Sequence, residues 1–452
     1  MRKQLLSWTA FTGIIVLLVL SIIQVSAAPG DLDPTFGIMG QLQDTTMRQI
    51  RATLVQPDGK IVVVGSIYYT TGPYSFDVPA VARYNSDGSL DYTFGTEGRV
   101  LSATPNGTVT FNGTFNAVAL QSDGKLVAAG TRDSFSFVVR LNADGTFDTS
   151  FSGDGKLSFT FTGPNYESST LTSVAVVPGT DKILVAGTML YEFSYDPYLN
   201  RSDIVLARFN ANGSFDSTFG ASGKQKHHIA YDQNDYPTSM AIHPTNNKIA
   251  LSLKDDSYFK VAMFNENGSF DTGFGASGFV TTDFGGVGAQ ATSIAFQRNI
   301  VSVGGYPAIV TRLVAGGWSY LSSTTKWDFA LARYKLDGTL DTSFGNAGKV
   351  RKALSYDQDM IQGMRIDSAG RIVTAGPRRW NSVTDFAVVR FTRDGAYDTT
   401  FGNGGKVYTQ FFANGIHINA PAYTVALAPD GKIVVASGQF DADSKLIARY
   451  EP

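Results

Sequence analysis

The chain has 452 residues, of which 43% are hydrophobic and 17% charged, with a formal net charge of −2 and no cysteine. This apolar content is enough for a large core and excludes a disordered chain. The lack of cysteine excludes disulfides, thiolate metal sites and a cysteine nucleophile. With no Lys/Arg run beyond residue 3, nucleic acid is excluded as a partner.

In chain order, the first element is an export signal. Arg2 and Lys3 precede an apolar run from Ala10 to Val25, and Val25-Ser26-Ala27 supplies the small residues that a signal peptidase reads. Residues 1–27 are therefore expected to be a cleaved signal peptide. Residues 28–452 would form one exported domain, secreted or periplasmic, with no membrane span after cleavage.

A half-sentence follows, Asp31-Leu32-Asp33-Pro34-Thr35-Phe36-Gly37, and then complete repeats. Residues 117–157 show the unit: AVALQSDGKLVAAG, a short loop, then FVVRLNADGTFDTSFSGDGKL. The phenylalanine that closes the unit recurs at Phe36, Phe94, Phe151, Phe219, Phe274, Phe344 and Phe401, a spacing of 55 to 70 residues. Each unit predicts four short strands with Asp-Gly turns, and no stretch of the mature chain has helical periodicity. The last unit, residues 423–450, stops before its fourth strand, and residues 29–43 hold the missing piece. Such matched ends predict a closed ring, because sharing a blade removes two exposed strand edges. The expected fold is all-β: a seven-bladed β-propeller of four-stranded antiparallel blades.

The segments quoted above, and FALARYKLDGTLDTSFGNAGKV from Phe329, resemble the delta-60 repeat of secreted bacterial proteins and the broader NHL-type propeller pattern. The resemblance implies a propeller and export, and no established activity. Two units depart from it. In the fourth, Met263 replaces the usual arginine and Thr245-Asn246-Asn247 the Asp-Gly turn. In the fifth, Gln297-Arg298-Asn299 stands where that turn is expected.

The recurring acids Asp33, Asp91, Asp148, Asp216, Asp271, Asp341 and Asp398 faintly resemble a calcium loop. However, an arginine such as Arg83 or Arg333 occupies the place where an acidic ligand is needed, so a structural turn role is expected. The four histidines, His227, His228, His243 and His417, are not spaced to converge on a metal. No catalytic triad, phosphate loop or cofactor motif is present, and no cofactor is expected.

The remaining signal is aromatic. Tyr195, Tyr198, Trp318, Tyr320, Trp327 and Trp380 fall on or beside the long connections between second and third strands, which share one end of the ring. Asp232 and Asp357 occupy equivalent places on neighbouring connections. These residues predict a partly exposed binding face, because Trp and Tyr pair an apolar surface with a polar edge. The expected function is non-enzymatic: a monomeric binding or scaffold protein whose ligand is a glycan or a protein. The alternative is an NHL-like propeller hydrolase or lyase with a metal over the central channel. The inner strands offer that alternative small residues and one charge, Arg365, which is expected to reach channel water or an acid such as Asp367 or Asp359.

Overall fold

The computed structural model describes residues 27–71, 74–101, 112–161, 166–191, 201–229, 235–255, 257–303, 306–320, 326–355, 357–380, 382–438 and 445–452. Its strands form seven four-stranded antiparallel sheets, each a blade. Blade I holds Met47–Val55, Ile61–Thr71, Tyr74–Tyr84 and Arg99–Leu101; blade II holds Gly113–Leu120, Leu126–Arg132, Phe135–Leu141 and Lys156–Phe159. Blade III holds Tyr166–Val176, Ile183–Tyr191, Arg201–Phe209 and Lys224–His227; blade IV holds Tyr236–Ile242, Ile249–Lys254, Phe259–Phe264 and Phe279–Thr282. Blade V comprises Gly288–Val303, Tyr306–Tyr320, Asp328–Tyr334 and Lys349–Lys352, and blade VI comprises Gly363–Ile366, Ile372–Trp380, Val383–Phe391 and Lys406–Thr409. Blade VII joins Ala422–Leu427, Ile433–Ser437 and Lys445–Tyr450 to the N-terminal strand Gln41–Asp44. In it Gln41 pairs with Ala448 and Asp44 with Lys445. Residues 1–26 of the expected signal peptide lie outside the described residues.

Sequence explains the strands directly. Second strands such as Ile61-Val62-Val63-Val64 are β-branched and wholly buried, as strands covered on both faces require. Between blades, the closing phenylalanines Phe36, Phe94, Phe151, Phe219, Phe274, Phe344 and Phe401 are all fully buried. The residue after each one donates its backbone N–H to the third-to-fourth-strand turn of the next blade. Gly95 N–H donates to Asp144 O at 2.7 Å, Ser152 to Asn212 O at 2.9 Å and Gly345 to Asp394 O at 2.9 Å. At the seam, Gly402 N–H donates to Pro29 O at 2.7 Å, and Gly37 N–H to Asp87 O at 2.7 Å. Pro29-Gly30 thus replaces the turn that blade VII does not make from its own strands.

The turn glycines serve this contact as well as the turn. Gly145 has φ +88°, and an added Cβ would stand 2.6 Å from Gly95 N and 2.9 Å from the Phe94 ring.

The repeated aspartates lock the same junction. Asp91 Oδ1 accepts from Thr93 N and Oγ1, and its Oδ2 accepts from Arg83 Nε (2.7 Å) and Lys60 Nζ (2.9 Å). Arg83 lies over the Phe94 ring, 4.3 Å from its centroid, and donates to Ala143 O in blade II. The same arrangement recurs at Asp33 with Arg449 and Lys432, Asp148 with Arg140 and Lys125, and Asp216 with Arg208 and Lys182. Asp398 keeps Arg390 at 2.7 Å. In blade IV, where Met263 stands in place of the arginine, Asp271 keeps its lysine, Lys248, at 2.6 Å.

Blade V corrects the sequence reading. Ile300 to Gly304 reads as its second strand, but Arg298 to Thr311 forms an outward extension of one long hairpin in which Asn299 pairs with Val310 and Val303 with Tyr306. The true second strand runs through Leu313-Val314-Ala315. Arg312 takes the repeat lysine's place and meets Asp341 at 2.8 Å, beside Arg333 at 3.0 Å. Tyr306–Tyr320, which includes Trp318 and Tyr320, is therefore strand and not a connecting loop.

Two outcomes are expected. Gly153 also has φ +88°, but nothing lies within 4 Å of its added Cβ. Gly153→Ala should cost about 1 kcal/mol of left-handed strain. Gly145→Ala should cost about 2 kcal/mol more from overpacking; urea denaturation measures both, and equal losses would refute the interlock. Burial of Asp91 opposes its ionisation, but bonds from Thr93, Lys60 and Arg83 outweigh that cost and hold its carboxyl below the usual carboxylate range. Its stabilisation is therefore complete above an unfolded value of about 3.9 and is lost as the pH falls through the lower folded value. Asp91→Asn should lower Tm at pH 7 and narrow the difference in Tm between pH 7 and pH 3, whereas a Tm–pH curve parallel to the wild type's would contradict this role.

Candidate functional site

The central channel is lined by first strands, and each of six of them contains a β-bulge. The ladder skips Arg51, Asn116, Thr172, Thr238, Thr292 and Tyr423, and Gln362 holds the corresponding place in blade VI. A bulge re-aims the extra residue, and all seven of these polar side chains line the channel. Several stitch neighbouring blades: Asn116 Nδ2 donates to Leu171 O (2.8 Å), Thr238 Oγ1 to Ala291 O (2.9 Å) and Thr292 Oγ1 to Ile361 O (2.5 Å). Glycine opposite the bulge admits it. A Cβ on Gly130 would lie 1.9 Å from Thr114 O.

The channel encloses a cavity of about 850 Å³. Among the described residues, its charged lining is Arg51, Arg298 and Arg365, with no carboxylate. The expectation of one inner charge is thus corrected to three. Arg365 is open to the channel, and burial pushes its guanidinium below the ordinary arginine value. It donates to Met364 O at 2.9 Å. Neither expected acid meets it: Asp367 pairs with Arg371 at 2.6 Å, and Asp359 accepts from Leu354 N and from Ser355 N and Oγ. Arg51 lies against the Tyr423 ring, 5.7 Å from its centroid, with Nη1 3.5 Å from the hydroxyl.

A groove of about 330 Å³ opens between blades VI and VII. Gln358, Arg379, Ser382, Asn419 and Pro421 line it, and it shares Gln362 and Tyr423 with the channel. It lies at the end of the ring where second strands run into third strands, so it forms a mouth to the channel.

The predicted aromatic face is only partly formed. Trp318 is on a strand and only 8% exposed, stacked between Trp327 (4.9 Å) and Tyr320 (5.8 Å). It is a packing residue, which corrects its reading as an exposed contact; Tyr320 and Trp327 are half-buried around it. Trp380 is 43% exposed, with Arg378 over its ring at 5.1 Å. Asp357 is held by Lys326 at 2.9 Å and Arg379 at 3.7 Å. Trp327 O accepts from Asp359 N, and Gln358 O from Arg379 N, so the segment from Asp357 to Asp359 ties the Trp327 stack to the mouth. Tyr195, Tyr198 and Asp232 lie outside the described residues. His227 contacts Gly268 O, while His228 and His417 pair with Asp203 and Asp385. Among the described residues, no three His, Asp or Glu groups sit together as metal ligands would.

Residues 56–94, 121–151, 180–219, 312–344 and 370–401 match the model of a domain of unknown function, the DUF5122 beta-propeller. The chain is a β-propeller repeat protein. Within the repeat, one match begins at Arg312, beside Leu313, where the strand Tyr306–Tyr320 starts to pair with the third strand of blade V. Among solved structures, the propeller is similar to the Dos1 propeller (13% identity, TM-score 0.44, covering 93% of this chain and 95% of that one). It is also similar to YCF48 bound to D1 peptide (9% identity, TM-score 0.44, 94% and 98%) and to Sqt1 from Chaetomium thermophilum (13% identity, TM-score 0.45, 94% and 100%). At these values the likenesses carry no argument about ligand or activity. No curated protein matches the chain significantly.

The two tryptophans give a direct check. Trp318→Ala should cost about 3–5 kcal/mol in urea denaturation, as truncation of a packed Trp does. Trp380→Ala should cost about 1 kcal/mol or less. Equal costs would contradict the division between packing and surface.

Proposed function

We propose that this propeller is an exported, non-enzymatic binding or scaffold protein that holds a glycan or a segment of protein at the mouth between blades VI and VII. The observation that carries the reading is the groove at that mouth, which shares Gln362 and Tyr423 with the channel. A concave site lined by amide side chains, a tyrosine and an arginine suits a polar ligand with apolar faces. The half-exposed Trp380 extends the same end of the ring. The lining also argues against a metal-dependent hydrolase or lyase, since Arg51, Arg298 and Arg365 would repel a cation where such a centre needs carboxylates or histidines. Export rests on the Arg2-Lys3, apolar and small-residue pattern of residues 1–27.

The test is a glycan array and a cross-linking screen on protein purified from the exported fraction. The ligand found should bind at least tenfold more weakly to Arg379→Ala and Trp380→Ala proteins that melt like the wild type. Full affinity in both variants would place the site elsewhere. Recovery of the protein from the cytoplasm with residues 1–27 intact would overturn export.

A further inference from the structure

The channel concentrates one sign of charge in a chain that is slightly negative overall. Among the described residues, three arginines and no Asp or Glu line it, and the adjoining groove adds Arg379. Strand pairing orders them. Arg51 occupies the register of Gln362 at the mouth, and Arg365 lies three residues farther along its strand. Arg298 stands three residues beyond the register of Arg365, toward the opposite end. Three residues of strand span about 10 Å, so the guanidinium-bearing residues descend the channel in steps, on blades I, VI and V.

Packing does not account for Arg365. At its register the other first strands carry alanine or leucine, such as Ala119, Ala241 and Ala426, and the ring closes there without a charge. Among the described residues, the buried arginines each meet a carboxylate: Arg83, Arg140, Arg208, Arg333, Arg390 and Arg449 pair with their repeat aspartates. Arg365 has a backbone carbonyl instead, and both nearby acids are engaged elsewhere. Arg365 is exposed to the channel, and same-sign charges in a narrow protein-walled space focus potential on an ion of opposite sign.

We infer that the central channel is an oxyanion site, which admits a carboxylate or phosphate group through the mouth between blades VI and VII and holds it between Arg51 and Arg365. Arginine suits the task, because its planar fork matches both groups with paired N–H donors. Asn116, Gln362 and the Tyr423 hydroxyl supply neutral polar contacts at the same level. The inference rests on the binding reading above and narrows its ligand to one bearing an oxyanion. That group is either a free small anion or the acidic group of a saccharide whose remaining rings lie in the groove.

The full exported protein is titrated calorimetrically with inorganic phosphate, citrate and trigalacturonate, with neutral galactotriose as control. At least one anion should bind, with affinity falling as salt rises, and galactotriose should not. Arg365→Gln and Arg51→Gln should each weaken binding at least tenfold, and Arg365→Lys should retain part of it. Removing an unpaired charge should leave Arg365→Gln at least as thermally stable as the wild type, so lost binding is not mistaken for lost folding. Trigalacturonate binding alone marks a saccharide carboxylate as the source, whereas phosphate or citrate binding marks a free anion; either supports the site. The inference is overturned if no anion binds at low salt, or if binding is unchanged in both glutamine variants. A neutral ligand that depends on Arg379 and Trp380 but not on Arg51 or Arg365 would remove this inference and leave the binding reading standing. Anion binding without any ligand at the mouth would do the reverse.

Discussion

Everything in this propeller depends on the contact between a buried phenylalanine of one blade and the turn of the next. The ring of Phe94, the amide of Gly95 and the turn at Gly145 meet so closely that a single methyl group has no room between them. Because the contact repeats from blade to blade, the angle between blades is set by main-chain geometry and not by the size of adjustable side chains. The Arg–Asp–Lys arrangement fastens the same place from outside. Its arginine is paired, stacked on the phenylalanine and bonded across the junction at once, which is the condition under which a buried charge is tolerable. Where blade IV has Met263 in place of the arginine, the backbone contact persists, with Gly275 donating to Asp337 O at 2.9 Å. The amide and the glycine are therefore the essential members, and the ion pairs reinforce them.

The outer and inner parts of the ring follow different rules. At the junctions, charges are neutralised and side chains fixed. Along the channel, the bulges expose a ring of polar side chains that the fold requires only to be small enough or flexible enough to fit. Arg51, Gln362 and Tyr423 all occupy this one structural position, with unlike chemistry. Variation there costs the scaffold little, so it is where specificity for a ligand can be written. The seven closing phenylalanines permit no such freedom.

The architecture was legible in the sequence because the junction is made of residues that hardly vary: Phe, Gly and Asp at fixed offsets. The split blade was legible for the same reason, Asp33 and Phe36 being the partners that Arg449 lacks within its own repeat. The channel was harder to read. A bulge is a fact of hydrogen-bond register, and the polar residue before each small one, as in Phe115-Asn116-Ala117, looks like ordinary alternation until its partner strand is known. Blade V misled because Ile300-Val301-Ser302-Val303-Gly304 copies the apolar run of a second strand, while the arginine that marks the real one, Arg312, replaces the repeat's lysine. Trp318 misled because the residues before it were read as loop. An aromatic in a loop suggests a surface, but the same residue on a strand beside Trp327 is packing.

The seam has a consequence in time. The bond from Arg449 to Asp33 joins positions 416 residues apart, and Gln41–Asp44 has no edge to pair with until the strand Lys445–Tyr450 exists. Loop closure over such a length carries an entropic cost that grows only slowly with length, so the equilibrium penalty is modest. The delay is larger. A chain synthesised N-terminus first can make six blades while its first segment waits unpaired. The ring shuts, and the channel gains its full wall, only when the last strand has arrived. Closure of the seam therefore reports that the strand Lys445–Tyr450 has been made, and a product truncated before it stays open at the one blade built from two distant segments.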